Sequence, residues 1–122
     1  MQTNFDAERL VDHEQFATAT VFENERLKVV CGYFQPGQFI PVHAPGSDVV
    51  IAIQAGRGRV RDGSTDRDVT AGDIVVVPAG TDRGIKADDQ SRLEALLVTS
   101  PPPTEEEHAP VRRGLRTDQF EP

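Results

Sequence analysis

Short apolar runs alternate with turn residues along most of the chain, and helical periodicity is hard to find. The apolar runs are bounded by dipeptides such as Pro-Gly, Asp-Gly and Ala-Gly, a pattern typical of an all-β protein. We therefore predict strands at residues 17–23, 27–34, 39–43, 49–54, 58–61, 68–70, 74–77, 84–87 and 93–99. We expect an N-terminal extension at residues 1–16 and one β-domain at residues 17–100. Residues 101–122 are expected to form a Pro-rich and polar C-terminal tail or arm. In that last segment Thr104 and Glu107 have the spacing of a capping box for a very short helix.

Two of these strands, residues 49–53 and 74–77, are apolar on both faces. Because side chains alternate along a strand, one side of each faces a barrel interior and the other side needs a cover. The N-terminal strands or a second subunit can supply this cover. The pattern thus favours a homodimer.

Composition and charge narrow the function classes. The 122 residues have 37% hydrophobic and 27% charged side chains, which is typical of one globular domain. The net charge is −7, so the surface repels phosphate backbones and nucleic acid is not an expected partner. Only two of the 13 basic residues are lysines, and an acidic, lysine-poor surface also suits a salt-loaded cytosol, which we keep as a hypothesis about habitat.

The chain is expected in the cytoplasm. No apolar run approaches the length that crosses a bilayer, so no membrane partner is expected, and the polar first 16 residues do not resemble a signal peptide. A single cysteine, Cys31, cannot form an internal disulfide and agrees with a reducing compartment.

Two frameworks of glycine and proline carry the strongest signal. The first is Gly37-x5-His43, which continues through Pro45 and Val49 to Gly56, and the second is Gly72-x5-Pro78-x-Gly80-x2-Arg83. They resemble the two motifs of the cupin superfamily, G-x5-H-x-H-x3,4-E-x6-G and G-x5-P-x-G-x2-H-x3-N. The resemblance covers about residues 32–98, and each glycine and proline of the motifs is in register. It implies a single-domain, cupin-type jelly-roll β-barrel, also called a double-stranded β-helix.

The same resemblance implies where a metal would bind. In metal-dependent cupins three histidines and one glutamate hold a divalent ion, and their positions fall here on His43, Pro45, Val49 and Arg83. Proline and valine have no donor side chain, and a protonated guanidinium has no lone pair to offer. With one ligand left, we expect no metal and no cofactor. Asp48 could turn inward at a β-bulge and give a second ligand, whereas His13 and His108 are expected to be solvated.

Arg83 is the residue most in need of a partner, because a buried unpaired charge is costly. Asp48 or Asp82 could pair with it and replace the metal as an internal cross-link. Alternatively, its guanidinium fork could bind an anionic ligand in two-pronged fashion, with His43 as a second donor or a general base. We place Asp48, Val49 and Tyr33 with these two residues in a candidate ligand site, although Tyr33 or Phe34 could instead be part of the core.

The leading functional hypothesis is a metal-independent barrel that binds a small polar or anionic molecule. An enzyme is the second class, either a metal-dependent dioxygenase or isomerase with a reduced ligand set or a metal-free isomerase or lyase that uses His43. A structural homodimeric barrel is the third. The fold alone does not choose among them.

Overall fold

The computed structural model describes residues 1–122 and contains eight strands. The strands are β1 (Ala17–Glu23), β2 (Lys28–Phe34), β3 (Phe39–His43), β4 (Asp48–Asp62), β5 (Thr65–Thr70), β6 (Ile74–Val77), β7 (Arg83–Ala87) and β8 (Leu93–Ser100). A short helix α1 (Phe5–Glu8) precedes them, and a 3₁₀ turn (Glu106–His108) and a helix α2 (Ala109–Thr117) follow. No helix is both long enough and apolar enough to span a membrane.

The long strand β4 joins two antiparallel sheets. Its first part pairs with β6 and β8, and β8 continues through β2 to β1; we call this the first sheet. Its second part pairs with β5 and β7, and β7 pairs with β3; we call this the second sheet. The two sheets enclose the core, which gives the jelly-roll barrel that the sequence predicts.

The prediction of separate strands at 49–54 and 58–61 is wrong, because both lie within β4. The ladder slips by one residue between Ile53 and Ala55, and Gly56 has a φ of 80°. A Cβ on Gly56 would lie 1.8 Å from the carbonyl oxygen of Arg92. A bulge followed by a glycine in this conformation bends the strand without ending it, so β4 passes from one sheet to the other.

Alternation along the first sheet separates core from surface. Val49, Ile51 and Ile53 are buried in a core cluster that also contains Val75 and Val77. The residues between them point away from the barrel: Val50, Ile74 and Val76 are 37%, 67% and 57% exposed. They lie side by side, since Val50 pairs with both Val76 and Val98. We call Val50, Ile74 and Val76 the outer apolar face.

Another part of the same outer surface is covered by the N-terminal segment. Tyr33 and Glu94 are opposite each other in β2 and β8 and are both buried. The Tyr33 hydroxyl donates to the carbonyl of Phe5 at 2.7 Å, and Arg9 forms an ion pair with Glu94. Residues 5–9 therefore act as a strap across β2 and β8, and they leave the outer apolar face open.

The C-terminal arm, residues 101–122, returns along the barrel. The capping box is present, with the Glu107 carboxylate accepting from Thr104 N at 2.8 Å and the Thr104 hydroxyl accepting from Glu107 N at 3.2 Å. Helix α2, which the sequence did not predict, packs on β3, where Gly114 lies against Pro41. Phe120 is 8% exposed, and its carbonyl accepts from Val42 N at 2.8 Å. The arm is thus held to β3 through α2 and through Phe120.

Candidate ligand site

A cavity of about 360 Å³ lies between the two sheets, beneath the C-terminal arm. Its volume falls in the usual range for sites that bind small molecules. Both sheets contribute to its wall, the first through β1, β2, β4 and β8 and the second through β3 and β7. The arm adds His108, Val111, Arg112 and Leu115. The cavity is therefore the interior of the barrel, closed on one side by α2.

The four positions that correspond to metal ligands in cupins come together here. His43, Pro45, Val49 and Arg83 all line the cavity. No group of three or more His, Cys, Asp or Glu side chains is placed to hold a metal ion. Since a divalent metal needs several such donors, and a guanidinium repels a cation, these residues do not fit the family's metal centre.

His43 reaches the cavity because of an irregularity in β3. The β3–β7 ladder shifts between Ile40 and His43, so that both residues face inward although they are three positions apart. The ring Nδ1 lies 2.9 Å from the carbonyl oxygen of Pro41. A carbonyl only accepts, so Nδ1 carries a proton and Nε2 of the neutral ring keeps a free lone pair.

The surroundings of His43 favour that neutral ring. Burial lowers the pKa of His43 below its ordinary value; the hydrogen bond to Pro41 opposes this shift, and the charge of Arg83 adds to it. At neutral pH the Nε2 of His43 is thus an acceptor, as the general-base alternative requires, and not the second donor.

Arg83 is only 5% exposed and is held by the turn that precedes β7. Its Nη2 donates to the carbonyls of Pro78 at 2.8 Å and Thr81 at 3.3 Å, and its Nε also donates to Thr81 at 3.3 Å. Its Nη1 is buried and has no partner. Burial lowers the pKa of Arg83, although a guanidinium remains protonated at working pH. One nitrogen is therefore left without a partner, and the predicted two-pronged contact through the fork is not available.

Two of the predicted site residues lie elsewhere. Asp48 is exposed, does not line the cavity, and accepts from Ala79 N at 2.8 Å, so it forms no ion pair with Arg83. Asp82 forms no ion pair with Arg83 either. Tyr33 faces outward under the N-terminal strap, and its neighbour Phe34 is the residue that points into the core. Backbone carbonyls take the place of the expected carboxylate partners.

Sequence reasoning missed three ionisable residues of the site. Lys28 on β2 and Arg112 on α2 line the cavity, and so does His108, which was expected to be solvated. The available signal was the capping box, whose Glu107 also accepts from Gly46 N at 2.5 Å and so ties the arm to the loop after β3. Val111 and Leu115, four residues apart, then face the cavity from one side of α2.

Comparison with known proteins agrees with this architecture. Residues 32–99 match the family model of the cupin domain. A solved structure of TT1209 from Thermus thermophilus is 29% identical, with a TM-score of 0.79 over 84% of this chain and 98% of the other. An RmlC-like cupin protein from Desulfovibrio desulfuricans is 28% identical, with a TM-score of 0.70 over 84% and 98%.

More distant structures show the fold alone. A predicted oxalate decarboxylase from Thermotoga maritima is 22% identical, with a TM-score of 0.66 over 71% of this chain and 81% of the other. Among curated proteins, none is significantly similar. The motifs, the two-sheet barrel and the family match agree, and the chain belongs to the cupin family as a small cupin with one barrel.

Proposed function

We propose that this cupin binds a small polar or anionic molecule in its barrel without a metal ion. The observation that carries the proposal is the buried Nη1 of Arg83, a charged donor that has no partner and belongs to a residue of the cavity wall. An unsatisfied buried donor of this kind is costly in the free protein. A ligand oxygen at this nitrogen would remove that cost.

The charges around the cavity support an anion. Its ionised wall residues are Lys28, Arg83 and Arg112, and no Asp or Glu lines it. This is notable in a chain with a net charge of −7. Three basic side chains and no carboxylate line the cavity, so the field of the cavity favours a negative ligand.

Thermal shift measured against a panel of organic acids, sugars and phenolics tests the proposal. We expect anionic members to raise the melting temperature of the wild type, because binding to the folded state stabilises it. Arg83→Met should lose this response, and Arg26→Met, at an exposed arginine outside the cavity, should keep it. A panel without any Arg83-dependent compound would favour a purely structural barrel.

Elemental analysis of protein purified without a metal-affinity tag tests the metal-independent part. We expect less than about one tenth of an equivalent of any transition metal, since one histidine cannot hold such an ion tightly. A stoichiometric metal that dialysis against a chelator removes would contradict the proposal and favour the metal-dependent enzyme.

A metal-free isomerase or lyase is the second candidate, favoured by the tautomer of His43. A neutral imidazole with a free Nε2 at the wall of a cavity is suited to remove a carbon-bound proton from a bound acid. Carboxylates that bind can be incubated in D₂O and followed by proton NMR. Loss of a carbon-bound proton signal in the wild type, but not in His43→Gln, would support this candidate.

We further propose that the protein is a cytoplasmic homodimer in which a second copy covers the outer apolar face. Val50, Ile74 and Val76 are exposed and form a continuous uncharged area on a chain that is otherwise strongly acidic. Two copies that meet through this area keep their charges apart, and sheets pack well face to face. A salt-loaded cytosol stays a hypothesis, and a melting temperature that does not change from low to molar salt would count against it.

A further inference from the structure

The cavity is polar at one end and apolar at the other, as the strand register shows. On the first sheet, Lys28 pairs with Thr99, which pairs with Val49, and all three line the cavity. Two residues farther along these strands, Val30, Leu97 and Ile51 form the next inward row. The first row thus offers an ammonium and a hydroxyl, and the second row offers only hydrocarbon.

The second sheet has the same gradient. His43 pairs with Arg83, and Ile40 pairs with Ile85 deeper in the barrel. His43 and Val49 lie at the two ends of the connection between β3 and β4, which also adds Pro45 to the wall, so the two polar rows lie at the same end. We call Lys28, His43, Arg83 and Thr99 the polar ring, and Val30, Ile40, Ile51, Ile85 and Leu97 the apolar floor.

The two parts make different demands on a ligand. Of the Arg83 nitrogens only Nη1 is free, because Nε and Nη2 donate to Pro78 and Thr81. One nitrogen suits one carboxylate oxygen better than a phosphate or sulfate, which call for several donors. The five side chains of the apolar floor have no hydrogen-bonding group, and the hydroxyl at this end of the cavity is that of Thr18, which lies on β1 beyond Val30. Water or a sugar against the floor would lose hydrogen bonds, whereas a hydrocarbon would not.

We propose that the ligand is an amphipathic monocarboxylate: its carboxylate accepts from Arg83 Nη1 and its hydrocarbon body lies against the apolar floor. This inference rests on the proposed binding function. It adds the class of compound and the direction in which the compound lies.

Calorimetric titration with acetate, butyrate, hexanoate and benzoate tests it. Each methylene buried against the floor should raise affinity about fourfold, until the roughly 360 Å³ of space is filled. Val30→Thr keeps the shape of the side chain and places a hydroxyl in the floor. It should weaken hexanoate at least about fivefold and leave acetate unchanged. The matched control is Val29→Thr, at the neighbouring position, which does not line the cavity.

The outcomes separate this inference from the proposed function. Affinity that is independent of chain length, with Arg83-dependent binding of glycolate, gluconate or phosphate, would overturn the amphipathic ligand and leave anion binding intact. If no carboxylate, phosphate, sugar or phenolic binds to the wild type, both proposals are overturned. Arg83→Met could fail to fold as a result of the substitution itself. In that case the comparison of Val30→Thr with Val29→Thr still tests whether the hydrocarbon body lies against the apolar floor, because both variants keep Arg83.

Discussion

His43 and Arg83 are opposite each other in the β3–β7 ladder, and both line the interior of the barrel. The Nδ1–H of His43 is committed to Pro41, and two of the three guanidinium nitrogens of Arg83 are committed to Pro78 and Thr81. Each side chain is therefore fixed by backbone carbonyls and keeps one nitrogen for another molecule. In metal-dependent cupins these two positions hold ligands of the metal ion. Here His43 provides an acceptor and Arg83 a cationic donor.

Lowering the pH should reduce the free energy of unfolding, and His43 should account for part of the loss. Its folded pKa lies below the ordinary 6.5, so as pH falls the unfolded chain takes up the proton first and the wild type loses stability. Urea unfolding between pH 7.5 and 5 should show this loss, and His43→Gln should reduce it. His108 and Glu107 also act on His43, so both stay in the variant. His13→Gln, at an exposed site, is the control, and a loss that is the same in all three proteins would contradict the assignment to His43.

Gly114→Ala should destabilise the arm, although glycine to alanine usually stabilises a helix by about 1 kcal/mol. The new Cβ would lie 2.5 Å from Cβ of Pro41 and 2.8 Å from the carbonyl oxygen of Gln119. We expect a loss of about 1–3 kcal/mol and faster proteolysis after residue 100. Arg113→Ala, on the exposed side of α2, is the control and should be neutral. A more stable Gly114→Ala protein would show that α2 does not rest on β3.

Ile74→Lys should convert the proposed dimer to a monomer. This side chain is 67% exposed on the outer apolar face, and a lysine in the centre of an apolar contact would be desolvated without a partner. Analytical ultracentrifugation measures the change, with Ser64→Lys in the exposed β4–β5 turn as the control. If the wild type sediments as a monomer at high protein concentration, the proposed homodimer is contradicted.

Arg9→Met should destabilise the fold by about 2 kcal/mol, because it leaves the Glu94 carboxylate buried with one weaker partner. The Glu94 side chain is 5% exposed, and its remaining neighbour Arg92 lies at 3.3 Å. Arg92→Met, which changes the more exposed partner, should cost far less. Denaturant unfolding of the two variants measures this difference, and equal losses would mean that the N-terminal strap contributes little.

The sequence predicted the barrel well because its signals are local. Alternation and turn dipeptides lie within a few residues of each other, and strands β1, β3 and β6 have the predicted bounds. The division of β4 into two strands failed because the apolar run ends before Gly56, whereas a bulge and a bend keep the ladder continuous. Helix α2 was missed because Pro110 and Gly114 weaken its intrinsic propensity, and contact with β3 supplies the stabilisation instead.

The site was predicted in part. The motif register brought His43, Val49 and Arg83 to one place, and all three line the cavity. The partners of Arg83 could not be predicted from the sequence, because they are backbone carbonyls, of Pro78 and Thr81, and every residue has one. Lys28 and His108 are far apart in the sequence, and only the tertiary structure places both in the wall of the cavity.

Strand β4 has a consequence for how the molecule loses its structure. Since β4 pairs with β6 and β8 in the first sheet and with β5 and β7 in the second, neither sheet can detach without stripping the other of a neighbour. The barrel should therefore melt in a single cooperative transition, with calorimetric and van't Hoff enthalpies equal. Amide exchange along β4 should then report the global opening on both sides of the bend, in contrast to the faster-exchanging strap and arm.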